Sequence, residues 1–319
     1  MSVQEGKILV VCDLSNFCYA SIFSAVAKWQ EKSDYASVLK PADETDQDDL
    51  PNLLAYPDFK KILHKNVQSR LETLDWIVRS NHQDAIDAAP GLDFVFTVDD
   101  KLSDNFRKLK VPSYKAQRKL VKRQYDVYAI KNYIQDVILP ELDLENSGYA
   151  MVKVDGCESD DIIAVMMERL KGYSLRILIS SDHDFLQLKD VVQYDLGGKP
   201  VKRVVRGDDQ ELNETDFLLW KIIRGDISDN IPSCFERYGD KKSLGLVRDR
   251  IKLRKMLKES ADARRQFETN KFLIDFRSIP VDLADKIYTE VQKKLAYNNM
   301  RTLEKTPDFG SQMIDLDSL

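Results

Sequence analysis

Four apolar runs in this chain each stop at an acid, and no other feature constrains the fold as much. Ile8 to Cys12 is followed by Asp13, Leu92 to Val98 by Asp99 and Asp100, Tyr149 to Val154 by Glu158, and Leu175 to Ile179 by Asp182. Each run is short and rich in β-branched residues, the pattern of a strand buried on both faces. Val191 to Tyr194 reads as a short fifth strand. Helically spaced apolar residues lie between the runs: Phe17 to Trp29, Phe59 to Val78, Ile130 to Ile138 and Ile162 to Leu170. Strands alternating with long helices predict an α/β fold with a mostly parallel central sheet and helices on both faces. Parallel strands point one way, so the acids fall along one edge, where open α/β sheets gather their chemistry.

The densest stretch is Val154 to Leu188, which holds Glu158-Ser159-Asp160-Asp161 and Asp182-His183-Asp184. Carboxylates this close raise one another's pKa, and burial raises it further, so an ionised set needs a cation. Ligands that are all oxygen suit Mg²⁺ or Mn²⁺. The plain alternative is that acids at helix N-termini complement the helix dipole. That accounts for one cluster more easily than for both. Two further acids lie in Arg224-Gly225-Asp226-Ile227-Ser228-Asp229-Asn230, read most simply as a helix C-cap at Gly225 followed by an N-cap at Asp229.

Composition excludes several classes. At 319 residues, 43% apolar and 32% charged, the chain is expected to be globular, with about two domains. No apolar run approaches the ~20 residues of a membrane span, and the N-terminal sequence does not read as a signal peptide, so a cytoplasmic protein is expected. Its four cysteines form no CxxC pair, which argues against zinc. The net charge of −5 conceals two basic patches. Residues 101–131 carry ten Lys or Arg against two Asp, and residues 235–258 carry nine against three acids. Patches of that size suit phosphate backbones. Lys115 and Arg118, three apart, would share a helix face, and Tyr114 is a candidate to stack on a base. Residues 31–57 read as a flexible acidic insertion, with Pro41 and Pro51 flanking the charge run Asp43 to Asp49. From Phe267 to Tyr288 an extended piece is expected, then a helix begun by Pro280. The expected units are an α/β domain over 1–212, a helical region over 213–304 and a flexible tail over 305–319.

Five motifs then resemble those of one family, the 5′ nucleases or flap endonucleases. VVCDLSN resembles its first acidic strand, and FTVDD with NFRKLKVPSYKAQRK its second strand and FR…YKxxR segment. CESDDIIA is similar to EADDIIA, ISSDHDFLQL to STDKDLxQL, and RGDISDNIP to GDxSDNIP. The length, ISSDHDF and FLIDFRSIPVDLADKI are closest to the phage ribonuclease H branch, which removes RNA primers. The resemblance implies a PIN-like 5′-nuclease fold and a duplex-binding C-terminal region. It implies two Mg²⁺, with Mn²⁺ as a substitute. Asp13, Asp99, Glu158 and Asp160, with Asp161 as an alternative to Asp160, would serve mainly the first ion. Asp182, Asp184, Asp226 and Asp229 would serve mainly the second. Arg107, Lys115 and Arg118 would meet the scissile region within an arch or gateway over the metals. Tyr114, Lys119, Lys122, Arg123, Lys241, Lys242 and Arg248 would contact nucleic acid. SCFERYGDKKSLGL stands where the family has a glycine-rich helix-hairpin-helix, so duplex contact there falls to charge. The implied activity is 5′→3′ exonuclease and 5′-flap endonuclease on DNA–DNA and RNA–DNA duplexes, by a monomer. Single-strand DNA-binding protein and a sliding clamp are candidate partners, the clamp because Gln312 to Leu316 weakly resembles clamp-docking peptides. Two rivals are a PIN-like ribonuclease and a non-catalytic structure-specific DNA-binding protein. The Asp226/Asp229 turn argues against the first, and the cost of unfilled carboxylates facing phosphate against the second.

Overall fold

Five strands form where the apolar runs predict them: β1 (Ile8–Asp13), β2 (Leu92–Val98), β3 (Tyr149–Lys153), β4 (Leu175–Ile179) and β5 (Val192–Tyr194). In this computed structural model, which describes residues 6–32, 39–100, 105–142, 148–208 and 210–304, they make one sheet in the order β3-β2-β1-β4-β5. Every pair is parallel. The chain steps outward from β1 to β3, then returns to the other side of β1 for β4. That reversal opens a crevice at the carboxyl ends of β1 and β4. Register levels those ends, with Asp13 opposite Thr97 and Cys12 opposite Ile179.

Alternate strand residues feed two cores. Ile8, Val10, Phe94, Phe96 and Ile177 pack under α1 (Leu14–Lys32), α2 (Pro57–Ala88) and α4 (Val127–Tyr133), the last following the short α3 (Phe106–Lys110). A π-turn and α5 (Leu139–Glu141) continue from α4. Leu9, Val11, Val95 and Leu178 pack on the other face against α6 (Ser159–Arg169). Both faces are covered, which is why the strands read as continuous apolar runs rather than alternating ones.

The C-terminal third is helical, as expected, but its division differs. α7 (Glu214–Arg224), α8 (Asp240–Arg248), α9 (Arg250–Glu259) and α10 (Ala261–Ile274) share two small cores. α11 (Val281–Glu304) instead returns to the sheet, where Ile287, Val291 and Leu295 are buried with Leu9, Val11 and Val95. The stretch expected to be extended near Phe276 is the end of α10 and a 3-10 turn. Asp275 caps that turn by accepting from the Arg277 N–H at 3.0 Å, and Phe276 stacks on Phe185. Local capping prevails there over the strand-like apolar content.

The acidic insertion also departs from expectation over its described part. Gln47 donates to the Arg123 carbonyl at 3.0 Å and accepts from the Arg123 N–H at 2.7 Å. Gln124 donates to the Lys40 carbonyl at 3.1 Å. These bonds lay the insertion against the basic segment. Among the described residues no helix is long and apolar enough to cross a membrane. The four cysteines are free and buried. The segments 33–38 and 101–104 and the tail 305–319 lie outside the described residues, and with the tail the clamp-docking reading.

Candidate active site

The carboxyl edge of the sheet gathers the predicted acids, and the residues between them decide their charge. Asp13 ends β1 and is 7% exposed. Ser159, buried at the start of α6, donates its backbone N–H to Asp99 at 2.9 Å. Its hydroxyl lies 3.2 Å from Asp13 and 2.6 Å from the Thr97 hydroxyl. It therefore ties β1 and β2 to α6, a role not anticipated from sequence, where it stands as a small residue in an acidic run. Ser15 donates to Asp99, and Lys131 lies 2.6 Å from the Ser15 hydroxyl and 3.5 Å from Asp99.

Glu158, Asp184, Asp226 and Asp229 each face a cation. Lys115 is 4% exposed, bonds Glu158 and lies 3.8 Å from Asp229. Its backbone is left-handed, with φ 55°, and its N–H donates to the Asp229 carbonyl at 2.9 Å. Arg118, half-exposed, reaches Asp229 at 2.7 Å. Lys221 on α7 is buried, bonding Asp184 and lying 3.0 Å from Asp226. The sequence pattern shows Lys221 only as a charged residue interrupting the apolar run of α7.

The turn after α7 explains its own sequence. Gly225 has φ 74°, and a Cβ there would sit 2.4 Å from the Ile231 and Pro232 carbonyl oxygens. Asp226 caps the following 3-10 turn (Ile227–Asp229), accepting from the Ser228 N–H at 2.9 Å. The capping residue is thus Asp226. Asp229 is left to face Lys115, Arg118 and the Tyr114 hydroxyl, the last at 3.4 Å.

Three expected roles change. Arg107 is 2% exposed and donates to Asp161, itself fully buried, at 2.5 Å, and to the Leu273 carbonyl at 3.0 Å. The two charges neutralise one another inside the fold, so neither is presented to substrate or to an ion. Tyr114 is 4% exposed, with its hydroxyl 3.3 Å from Glu158, and its ring is not open for stacking. Lys115 and Arg118 do not share an α-helical face, because only a 3-10 turn (Ala116–Leu120) follows Lys115. They converge on Asp229 through that turn instead. Of the predicted nucleic-acid contacts, Lys122 is exposed, Arg123 lies over the Tyr128 ring, and Arg248 is paired with Asp208 at 2.5 Å. Lys241 and Lys242 line an open groove of about 540 Å³ with Arg206 and Arg237.

Electrostatics divide the acids in two. Asp99 resists the upward push of burial because Lys131, Ser15 and the Ser159 N–H hold its pKa below the ordinary value. Lys221 and Ser228 do the same for Asp226. Burial, then Asp99, pushes Asp13 up to about 7. Asp160 is raised well above the usual range by burial, and Asp182 and Asp13 add to the rise against Lys115. Asp182 lies at the open mouth, where the surrounding protein strips away water and Asp229 and Asp226 raise it against Lys221. Asp13, Asp160 and Asp182 are therefore under-compensated. Carboxylates in that condition at adjacent strand ends fit an oxygen-seeking divalent cation. Among the described residues no three acids enclose a ready-made ion site; the lysines supply the positive charge in this arrangement.

Residues 71–215 match the family model of the 5′-3′ exonuclease N-terminal, resolvase-like domain. The chain is 30% identical over 146 residues to DNA polymerase I of Treponema pallidum (strain Nichols), covering 44% of this chain and 14% of that protein. It is 30% identical over 159 residues to ribonuclease H of Enterobacteria phage T4, covering 44% of this chain and 50% of that protein. The chain thus spans half or less of these curated relatives. Among solved structures, T5 5′-exonuclease with bound divalent metal ions (zinc) has a TM-score of 0.56 at 16% identity, over 91% of this chain and 100% of that one. A bacteriophage T5 flap endonuclease in a pseudo-enzyme-product complex with DNA and metal ions scores 0.52 at 16% identity, over 94% and 100%. At that identity the likeness is one of fold.

Proposed function

We propose, for a chain that belongs to the 5′ nuclease or flap endonuclease family, that it is a divalent-metal-dependent 5′→3′ exonuclease and 5′-flap endonuclease. Its substrates would be DNA–DNA and RNA–DNA duplexes, its products 5′-phosphates and 3′-hydroxyls, and its task the removal of RNA primers in replication. The observation that carries the proposal is the set of under-compensated acids at the carboxyl edge, Asp13, Asp160 and Asp182, beside the buried cations Lys115 and Lys221. A structural ion-pair network would leave no such deficit of positive charge.

Asp13, Asp99, Glu158 and Asp160 would hold one Mg²⁺ and Asp182, Asp184, Asp226 and Asp229 a second, with Mn²⁺ able to replace either. When bound, such ions neutralise phosphate oxygens and lower the pKa of an attacking water. Ser159 fixes Asp13 and Asp99 relative to one another, and so would orient two of the residues that would hold the first ion. Lys115 and Arg118 share acids that an ion would also claim. A cation whose carboxylate turns to metal is free to turn to a non-bridging phosphate oxygen, where it stabilises charge developing in the transition state. Lys221 stands in the same relation to Asp184 and Asp226. The Lys241/Lys242 groove would take the downstream duplex. The protein would act as a monomer, helped by single-strand DNA-binding protein or a clamp.

The test is cleavage of a 5′-flap DNA and a 5′-RNA-primed duplex with and without Mg²⁺, beside Asp182→Asn and Asp184→Asn. Metal-dependent cleavage that both variants lose while still binding flap DNA is expected. Near-normal turnover in both variants would rule out the two-metal reading.

A further inference from the structure

We infer, on the two-ion reading proposed above, that Gln193 of β5 is a positioning residue for the second ion. It grips the backbone from which Asp182 would reach that ion.

β5 is an edge strand of the sheet, and Gln193 stands on it opposite Leu178. Gln193 is 7% exposed. An amide buried at such a position costs free energy unless it is bonded. Both hydrogens of its Nε2 go to one loop, the Ser180 carbonyl accepting at 2.8 Å and the Asp182 carbonyl at 2.7 Å. Its Oε1 is buried with no hydrogen-bond partner among the described residues. The reversed amide would set Oε1 against two carbonyl oxygens, so the loop dictates this orientation. An apolar side chain of similar volume would avoid the unmet acceptor but would leave both loop carbonyls unpaired. β5 itself is held without the side chain. It pairs with β4 along the backbone, the Ser180 N–H donates to the Tyr194 carbonyl at 2.9 Å, and the Val201 N–H donates to the Gln193 carbonyl at 3.0 Å.

The loop depends on such a grip. Ser180 is fully buried, but none of Ser181, Asp182, His183 and Asp184 is, so packing does not fix them. Hydrogen bonds do. The Ser181 N–H reaches Asn16 only at 3.4 Å, and the Asp182 N–H donates to the Ser180 hydroxyl at 3.2 Å. Gln187 ties the far end to the end of α10, donating to the Asp184 and Ile274 carbonyls, both at 2.9 Å, and accepting from the Phe276 N–H at 3.0 Å. Gln193 ties the near end. Asp182 Oδ1 accepts from the Asp184 N–H at 2.8 Å, so the carboxylate is locked to the same backbone that Gln193 holds. Removing the Gln193 donors would therefore loosen Asp182 and leave Asp184 held by Gln187 and Lys221. Groups that orient a metal ligand in this way typically change metal affinity by about 10–100-fold when lost.

The test is Mn²⁺ binding to the full chain without nucleic acid, followed by electron paramagnetic resonance, for wild type, Gln193→Met and Asp182→Asn. Methionine keeps the length of the side chain and removes both donors. Expected are two ions in wild type and, in Gln193→Met, one ion at unchanged affinity with the other bound about 10–100-fold more weakly. The ion that stays tight should give the same spectrum in Gln193→Met and in Asp182→Asn. A merely structural role would loosen both ions alike. Equal weakening of both, no weakening of either, or a different ion remaining in the two variants overturns the inference. Should Gln193→Met fail to fold by circular dichroism, Gln193→Asn takes its place, with an arm one methylene too short to keep both bonds. Two ions with no response at residue 193 would sink the positioning role alone. Fewer than two ions in wild type would sink the two-ion reading, and the role of Gln193 with it.

Discussion

Arg107 and Lys115 are both cations buried among acids, and their removal should have different effects. Arg107 has no open face, so Arg107→Ala leaves Asp161 buried and unpaired. A stability loss of about 3–5 kcal/mol is expected in urea unfolding, the usual cost of breaking a buried pair. Lys115→Ala should act mainly on rate, lowering kcat by roughly 10²–10³, as removing one donor to developing charge does, with a smaller change in KM. Sequence spacing could not separate the two, because burial of a guanidinium depends on Leu273, far along the chain. Asp13 makes a pH prediction. Its folded pKa, about 7, lies above the ordinary 3.8, so the native state holds a proton that the unfolded chain has released. Its contribution to the stability of the metal-free protein is complete below about pH 3.8 and is lost as pH rises through about 7. Thermal unfolding in EDTA from pH 5 to 8 should show wild type losing stability more steeply than Asp13→Asn. Equal slopes would show that Asp13 titrates normally.

Elements were legible wherever local pattern decided them. All five strands, the long helix α2 and the acids at the strand ends follow from runs and spacing, because burial on both faces leaves a signal in every residue. The path of residues 101–131 was not legible, since Lys115, Gln117 and Arg118 are placed by contacts with Ile227, Ser228 and Asp229 over a hundred residues away. The place of α11 was hidden for the same reason: its apolar stripe shows that it packs somewhere but not on what. Since Ile287, Val291 and Leu295 complete the core beside β1 and β2, α11 is part of the sheet domain rather than an appendage. Truncation after residue 280 should therefore abolish cooperative unfolding as seen by near-ultraviolet circular dichroism. A truncated chain that keeps a sharp transition would show that the second face holds without α11.

At the scale of the whole molecule, a net charge of −5 coexists with a basic groove, so binding should be steered by local field and screened by salt. Lys241 and Lys242 are two of the four exposed cations that line that groove, with Arg206 and Arg237, and Arg248 is already paired with Asp208. Replacing both lysines with Ala should reduce the slope of log K against log salt for a nicked duplex by about one to two, at about 0.9 per phosphate released. An unchanged slope would place the duplex elsewhere.

The order of the sheet also fixes a timetable. β1 lies at its centre, yet its neighbours are encoded far downstream, at Leu92 and Leu175. At about 5–20 residues per second, a ribosome takes roughly ten to thirty seconds to travel from Asp13 to Leu175. For that whole interval one side of the central strand has no partner, and the α11 cover for the second face emerges later still. The nascent chain therefore leaves the ribosome with its most apolar strand incompletely covered. The acid edge is complete only once Asp229 has been made, so a chain stalled before that residue lacks part of it.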